Sequence, residues 1–163
     1  MTNNEILAKL KVNFPDAIVA VPEVIDFTVV IKPDMLVDVA TYLRDACNLD
    51  YLADLTAVDH PDRFEVVYHF FSIAEETCEP FVLKVYLKDK ENPSVASITP
   101  LWQGAYYQEC EVYDLMGIRF SGHPNLKRIL LWDGFEGHPL RKDYQNRTFT
   151  YEELRPTNPE EAR

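Results

Sequence analysis

The chain has little glycine and little cysteine, with five glycines and three cysteines among 163 residues. Cys47, Cys78 and Cys110 are odd in number and widely spaced, which argues against a disulfide framework and fits reduced thiols. They are also too few and too scattered for an iron–sulfur cluster of the chain's own, which takes four thiolates or an equivalent set at short spacings. Positive charge is scarce. A net charge of −11 argues against nucleic acid as a partner, because neutralising phosphates needs Lys and Arg clustered on a basic face. Apolar runs stop after a few residues, as at Ile129 to Trp132, far short of the roughly 20 needed to cross a bilayer. The N-terminus also lacks a basic stretch leading into an apolar one. The expectation is a soluble protein that meets a membrane only through partners. Local catalytic frames are missing as well. There is no GxGxxG, no phosphate loop, and no Gly-x-Ser-x-Gly around Ser121-Gly122, so dinucleotide binding, phosphate-loop chemistry and serine-hydrolase chemistry lack their motifs.

What is present suffices for one core: 47% of residues are hydrophobic and 26% charged. Thr2 and Glu5 have capping-box spacing ahead of Ile6, Leu7, Leu10 and Phe14, which predicts a short amphipathic helix stopped before Pro15. Ala17 to Val21 and Phe27 to Ile31 are β-branched runs on either side of Pro22 and read as strands. Pro33 opens a second helix, with Met35, Val39, Leu43 and Ala46 on its apolar side. Tyr51 to Asp59 and Phe64 to Ser72 flank the turn His60-Pro61-Asp62-Arg63, and Phe81 to Lys88 alternates with period two. Three strands with short connections imply an antiparallel meander. Thr99 and Pro100 then start a third helix that ends at Gly117. The sum is an α+β domain over residues 1–118, with a mixed, largely antiparallel sheet and helices on one face. An irregular C-terminal extension follows over 119–163, and its end, from Arg155, has the composition of a mobile terminus.

Glycine, though rare, is concentrated: all five lie between positions 104 and 137, and Gly-His-Pro occurs twice, at 122–124 and 137–139. Such crowding specifies a chain path residue by residue. Charge is uneven too. Residues 119–147 hold six bases (Arg119, Lys127, Arg128, Arg141, Lys142, Arg147) against three acids (Asp133, Glu136, Asp143), a local excess of three positive charges in an acidic chain. This segment can fold over its own domain or meet an acidic partner.

Each constellation here has a catalytic and a structural reading. Glu109, Glu111 and Asp114 lie on the third helix, and carboxylate pairs serve as general acid and base. With Arg119, Arg128 and Arg141 so near, structural ion pairing is the favoured reading. His123 and His138 are potential metal ligands, yet both precede proline and neither has the spacing of a metal-binding helix. Backbone hydrogen bonding is the favoured role for them. Trp102, Tyr106, Tyr107 and Tyr113 recur at helical spacing and read as core rather than as a stacking platform. A partner-binding domain without a cofactor of its own is what remains. A hydrolase using His123 and His138 with Glu111 or Asp114, with or without zinc, is one alternative, and a generic adaptor is another.

The run Glu109-x-Glu111-x-Tyr113-Asp114-Leu115-Met116-Gly117-Ile118-x-Phe120-x-Gly122-His123-Pro124-x-Leu126, followed by Arg128-Ile129-Leu130 and Gly137-His138-Pro139-Leu140-Arg141-Lys142-Asp143-Tyr144, resembles the signature of the 30-kDa subunit of respiratory complex I. In bacteria this complex is the proton-translocating NADH:quinone oxidoreductase. The specific motifs cover residues 102–144, and the upstream domain fits the family in length and element order. The resemblance implies a non-catalytic subunit of the hydrophilic arm, peripheral on the cytoplasmic side of the cell membrane. It would pack beside the 49-kDa quinone-site subunit and the neighbouring cluster subunit, with flavin, iron–sulfur clusters and quinone on partners. It would be part of an oxidoreductase and translocase, and inactive alone. Glu109, Glu111, Asp114, Arg119, Arg128, Arg141, Lys142 and Asp143 would fix the helix-to-tail junction or an intersubunit contact. Gly117, Gly122, His123, Pro124, Gly137, His138 and Pro139 would set the tail's route. Cys110, Lys127 and Gln145 depart from the family's usual Arg, Arg and Pro. The resemblance fits equally the related subunit of a plastoquinone-reducing complex or a membrane-bound hydrogenase. Much of 119–163 is expected to lack helix or strand, with stretches meant for partners mobile, domain-swapped or held by another copy of the chain, and a tail fully packed on its own domain would count against docking.

Overall fold

A computed structural model of the chain describes residues 1–74, 79–132, 134–146, 148 and 150. Cys78, Asp133, Arg147 and the terminal stretch from 151 lie outside the described residues. The element order is α1 (Asn3–Asn13), β1 (Ile18–Ala20), β2 (Thr28–Ile31), a 3-10 turn (Pro33–Met35), α2 (Leu36–Cys47), β3 (Tyr51–Asp59), β4 (Phe64–Phe71), β5 (Phe81–Leu87), β6 (Ser94–Ala96), α3 (Ala105–Met116) and β7 (Arg119–Ser121).

Local chemistry sets the early elements. Thr2 caps α1 reciprocally with Glu5: the Glu5 amide donates to Thr2 Oγ1 at 3.3 Å and the Thr2 amide to Glu5 Oε2 at 2.9 Å. Ile6 and Leu10 are thereby aimed into the core. The helix α2 buries Leu36, Val39, Ala40, Leu43 and Cys47, and ends where Asn48 turns left-handed at φ 57°.

Five strands form one sheet in the order β1-β2-β5-β4-β3. All neighbours are antiparallel except β2 and β5, which run parallel. Alternation along β4 and β5 puts Phe64, Val66, Tyr68 and Phe70 beside Phe81, Leu83, Val85 and Leu87 on one face. Buried residues of all three helices join that face in a single apolar cluster, so the helices share one side of the sheet. The α+β reading and the meander β3-β4-β5 hold.

Two expectations are corrected. The third helix starts at Ala105 rather than at Thr99, because the Thr99 hydroxyl is engaged with Ser97 Oγ at 2.7 Å and so does not cap. The intervening turn is instead anchored by Trp102, whose Nε1 donates to Asp50 O at 3.1 Å and whose ring packs on Phe70. The chain on either side of α3 is also paired. The strands β6 and β7 form a parallel two-stranded ribbon with Val95 opposite Phe120, both buried. Three residues with one buried side chain carry no readable period, and the sequence had shown only a polar stretch and an irregular segment there.

Candidate functional site

The signature residues build a strap around α3. The helix stops at Gly117, whose amide donates to Tyr113 O at 2.8 Å with φ at +74°. A side chain is excluded there twice over. The left-handed backbone favours glycine, and a Cβ would lie 2.5 Å from the His138 ring and 2.9 Å from Arg141 Nη2. The strap passes close over the helix end because nothing projects from it.

Asp114 is the centre of the strap. It is fully buried, and its Oδ2 accepts from the amides of Ile129, Leu130 and Leu131 at 2.9, 2.8 and 3.0 Å. Arg128 Nη1 donates to Asp114 Oδ1 at 2.8 Å and to its backbone oxygen at 3.1 Å, while Nη2 donates to Gly137 O at 3.0 Å. Burial by itself raises the pKa of Asp114, but the amides and the guanidinium together outweigh it and hold the carboxyl below its ordinary value. A single carboxylate thus gathers residues 128–131 on the last turn of α3.

The second half closes through backbone oxygens. His138 Nδ1 donates to Asp114 O at 2.9 Å, and burial lowers its pKa, favouring the neutral ring. The Leu140 amide donates to Leu115 O, and Arg141 Nε donates to Met116 O at 2.7 Å with its guanidinium over the Phe64 ring. These bonds satisfy carbonyls that a helix end leaves without internal partners. Beyond them the Lys142 amide donates to Asp59 Oδ2 at 2.9 Å, while Lys90 Nζ occupies Asp59 Oδ1. Asp59 is buried at the end of β3, so the strap is tied to the sheet as well as to the helix. Gly137, at φ +85°, lets the Tyr144 ring approach to 2.9 Å from where a Cβ would stand.

The first Gly-His-Pro does similar work at the other end of α3. The Asn125 amide donates to His123 Nδ1 at 3.1 Å, which leaves Nε2–H to donate to Tyr106 O at 3.1 Å. Gly122 has φ +85° and open space around it. Pro124 shares a cleft with Tyr106 and Tyr107. Cys110 is buried with Sγ 3.8 Å from His123 Nε2 and from Asn125 O, so the departure at 110 places a thiol where that loop folds back.

His123 and His138 therefore bond opposite ends of α3, eight residues apart and about 12 Å along its axis, with backbone oxygens as their acceptors. Among the described residues no three His, Cys, Asp or Glu side chains assemble a metal-binding group. Glu109 is buried away from the strap, with the Ser97 hydroxyl donating to Oε2 at 2.6 Å and the Ile98 amide to Oε1 at 2.8 Å. Glu111, Arg119, Lys127 and Asp143 are exposed, and their side chains make no hydrogen bond or ion pair within the described residues. Lys142 and Pro139 complete the predicted set, the first exposed and the second half-buried.

The signature accordingly divides into groups spent inside the chain and groups left outward. Partner-directed stretches of the extension are expected to be mobile, domain-swapped or held by another copy, whereas among the described residues the strap is hydrogen-bonded to its own domain at 128–131, 138 and 140–142. Asp59 and Ser97 are not singled out by the sequence, since their partners Lys142 and Glu109 lie 83 and 12 positions along the chain.

Residues 29–150 match the family described as respiratory-chain NADH dehydrogenase, 30 Kd subunit. The chain is 45% identical over 149 residues to an NADH-quinone oxidoreductase subunit of Roseiflexus sp., a match covering 88% of this chain and 84% of that one. It is 44% identical over 141 residues to the NADH-quinone oxidoreductase subunit of the same name from Moorella thermoacetica, with 83% and 90% covered. In fold it is similar to a chain of the membrane-bound sulfane sulfur reductase, an archaeal respiratory membrane complex, with a TM-score of 0.70 at 23% identity over 87% of this chain and 85% of that chain.

Proposed function

The chain belongs to the 30 Kd subunit family of respiratory-chain NADH dehydrogenase, and from that premise we propose a non-catalytic assembly subunit in the hydrophilic arm of a proton-pumping NADH:quinone oxidoreductase. In this reading it packs beside the 49-kDa quinone-site subunit and the neighbouring cluster subunit. It holds no flavin, cluster or quinone and is peripheral on the cytoplasmic side of the membrane. No helix of the described residues is long and apolar enough to cross a bilayer, in keeping with attachment through partners.

The observation that carries the proposal is the division of the signature. Asp114, Arg128, His138 and Arg141 are consumed in rigidifying the strap, while Glu111, Arg119, Lys127 and Asp143 point outward without partners among the described residues. Leu130 and Leu140, 60% and 57% exposed, add apolar area on the same strap. Rigid charged and apolar groups held at fixed positions lower the ordering cost of association. A catalytic site would spend its polar groups on a cavity, and here they are spent on backbone.

The test is the purified full chain. It should show no NADH-dependent quinone reduction and no visible flavin or cluster absorbance, yet restore activity to a complex depleted of this subunit. A stoichiometric chromophore ligated by the chain would overturn the proposal.

A further inference from the structure

Glu109 is the one signature acid that serves neither the strap nor the surface. It lies fully buried on α3, against the loop that follows β6. The groups facing it are Tyr68 from β4 and Ser97, Ile98 and Thr99 from that loop, while the inward residues of β3 are the apolar Leu52, Leu55 and Ala57. Among the described residues no Lys, Arg or His pairs with it. A buried carboxylate without a cation is costly unless it is neutralised.

Its hydrogen bonds can run in two directions. With Glu109 ionised, Thr99 Oγ1–H donates to Ser97 Oγ at 2.7 Å, and Ser97 Oγ–H donates to Glu109 Oε2 at 2.6 Å. With Glu109 protonated, Oε2–H donates to Ser97 Oγ and Ser97 Oγ–H to Thr99 Oγ1, so both hydroxyls reverse and no partner is lost. Thr99, itself 9% exposed, borders a surface cleft lined by Pro100, Gln103, Tyr106, Tyr107 and Pro124, which is the nearest approach of solvent to this chain of hydroxyls. We propose that Glu109, Ser97 and Thr99 form a proton relay, through which a buried carboxyl gains and loses a proton at the Tyr106–Tyr107 cleft and makes the joint between α3 and the β6–β7 ribbon responsive to pH.

The step balances simply. One proton enters at Thr99 from a solvent acid, each hydroxyl passes one proton inward, and one O–H bond forms at Oε2 with no electron transferred. The electrostatics agree with the geometry. Burial, the largest influence, raises the Glu109 carboxyl to a pKa of about 7 against the weaker opposing bonds from Ser97 and Ile98. Tyr68, also fully buried, is raised well above its ordinary value by burial and then by the Glu109 charge; its hydroxyl has no hydrogen-bond partner among the described residues. Tyr68 therefore stays neutral across the range in which Glu109 titrates.

The experiment is carbon NMR of the full chain labelled at the glutamate carboxyls, with Glu109 assigned by the signal lost in Glu109→Gln. That signal should titrate with a midpoint near neutrality, and the Ile98 amide proton should move with the same midpoint. A midpoint in the ordinary glutamate range would overturn the proton site. Should Glu109→Gln fail to fold, Ser97→Ala supplies the assignment instead, by shifting the same signal's midpoint upward. For the relay, Thr99→Val should leave the midpoint nearly unchanged but broaden or split the signal, because proton exchange with solvent slows. An unchanged line shape would overturn the relay.

Discussion

Arg141 reaches back across Gly117 to the end of its own helix, its Nε donating to Met116 O at 2.7 Å while its Nη2 stands 2.9 Å from where a Cβ on Gly117 would be. The contact closes a loop of 25 residues and brings the second Gly-His-Pro onto α3. Gly117→Ala should therefore act on both the cap and the strap, through positive-φ strain of about 1–3 kcal/mol plus displacement of His138 and Arg141. Hydrogen exchange at residues 138–144 should rise beyond any rise in α1 or α2. Uniform loss of protection would place the damage in the global fold instead.

Asp114 offers a sharper test of the strap. Removing one partner of a buried, hydrogen-bonded charge pair costs about 3–5 kcal/mol, so Asp114→Ala should lower the unfolding free energy by that order in a urea titration. Asp114→Asn keeps an acceptor for the three amides and should lose less. A loss below about 1 kcal/mol for the alanine variant, less than one buried unsatisfied donor costs, would mean that residues 128–131 are held by something else.

Arg141 and Asp143 are two residues apart and should behave oppositely. Arg141 bonds its own domain, so Arg141→Ala should lower the monomer melting temperature by several degrees. Asp143 is exposed and unpartnered within the described residues, so Asp143→Ala should leave stability within about 0.5 kcal/mol and weaken assembly. Equal losses of melting temperature would place both inside the domain.

How much of this was legible in the sequence depended on range. The capping box at Thr2 and Glu5, the β3–β4 hairpin and the glycine stop at 117 are local events, and each was written within a few residues. The strands β6 and β7 were not, because one buried residue in three gives no period. The start of α3 misled for a related reason. Thr99-Pro100 has a helix-opening composition, but a distant carboxylate, Glu109, claims the hydroxyls of that turn through Ser97. The nearness of Arg128 and Asp114 in sequence suggested pairing correctly, whereas Asp59 and Lys142 are 83 positions apart and only the fold joins them.

The acids of this chain also predict opposing pH effects. For Glu109 the folded pKa of about 7 lies above the ordinary 4.5. The folded chain then binds that proton more tightly than the unfolded chain does. Its contribution is fully present below the ordinary value of 4.5 and is lost as pH rises to about 7, a change of about 3 kcal/mol. Asp114, Asp59 and Glu65 are lowered, so their contributions are present at neutral pH and are lost on acidification below the ordinary carboxyl range. Urea titrations from about pH 5 to about pH 8 should show wild-type stability falling with pH relative to Glu109→Gln, the difference between the two curves isolating Glu109 from His138, whose lowered pKa adds stability in both proteins as pH rises. Parallel curves for the two proteins would contradict this assignment.

The most direct measurement is quantitative co-purification of the tagged chain from its native membranes in mild detergent, with neighbouring chains identified and counted. Near-equal amounts of this chain and of the quinone-site and cluster subunits of an NADH:quinone oxidoreductase are expected, with those partners lost from a Glu111→Lys, Asp143→Lys variant whose own melting temperature is unchanged. Recovery of the wild-type chain alone, or with partners that include no such subunits, would contradict that expectation.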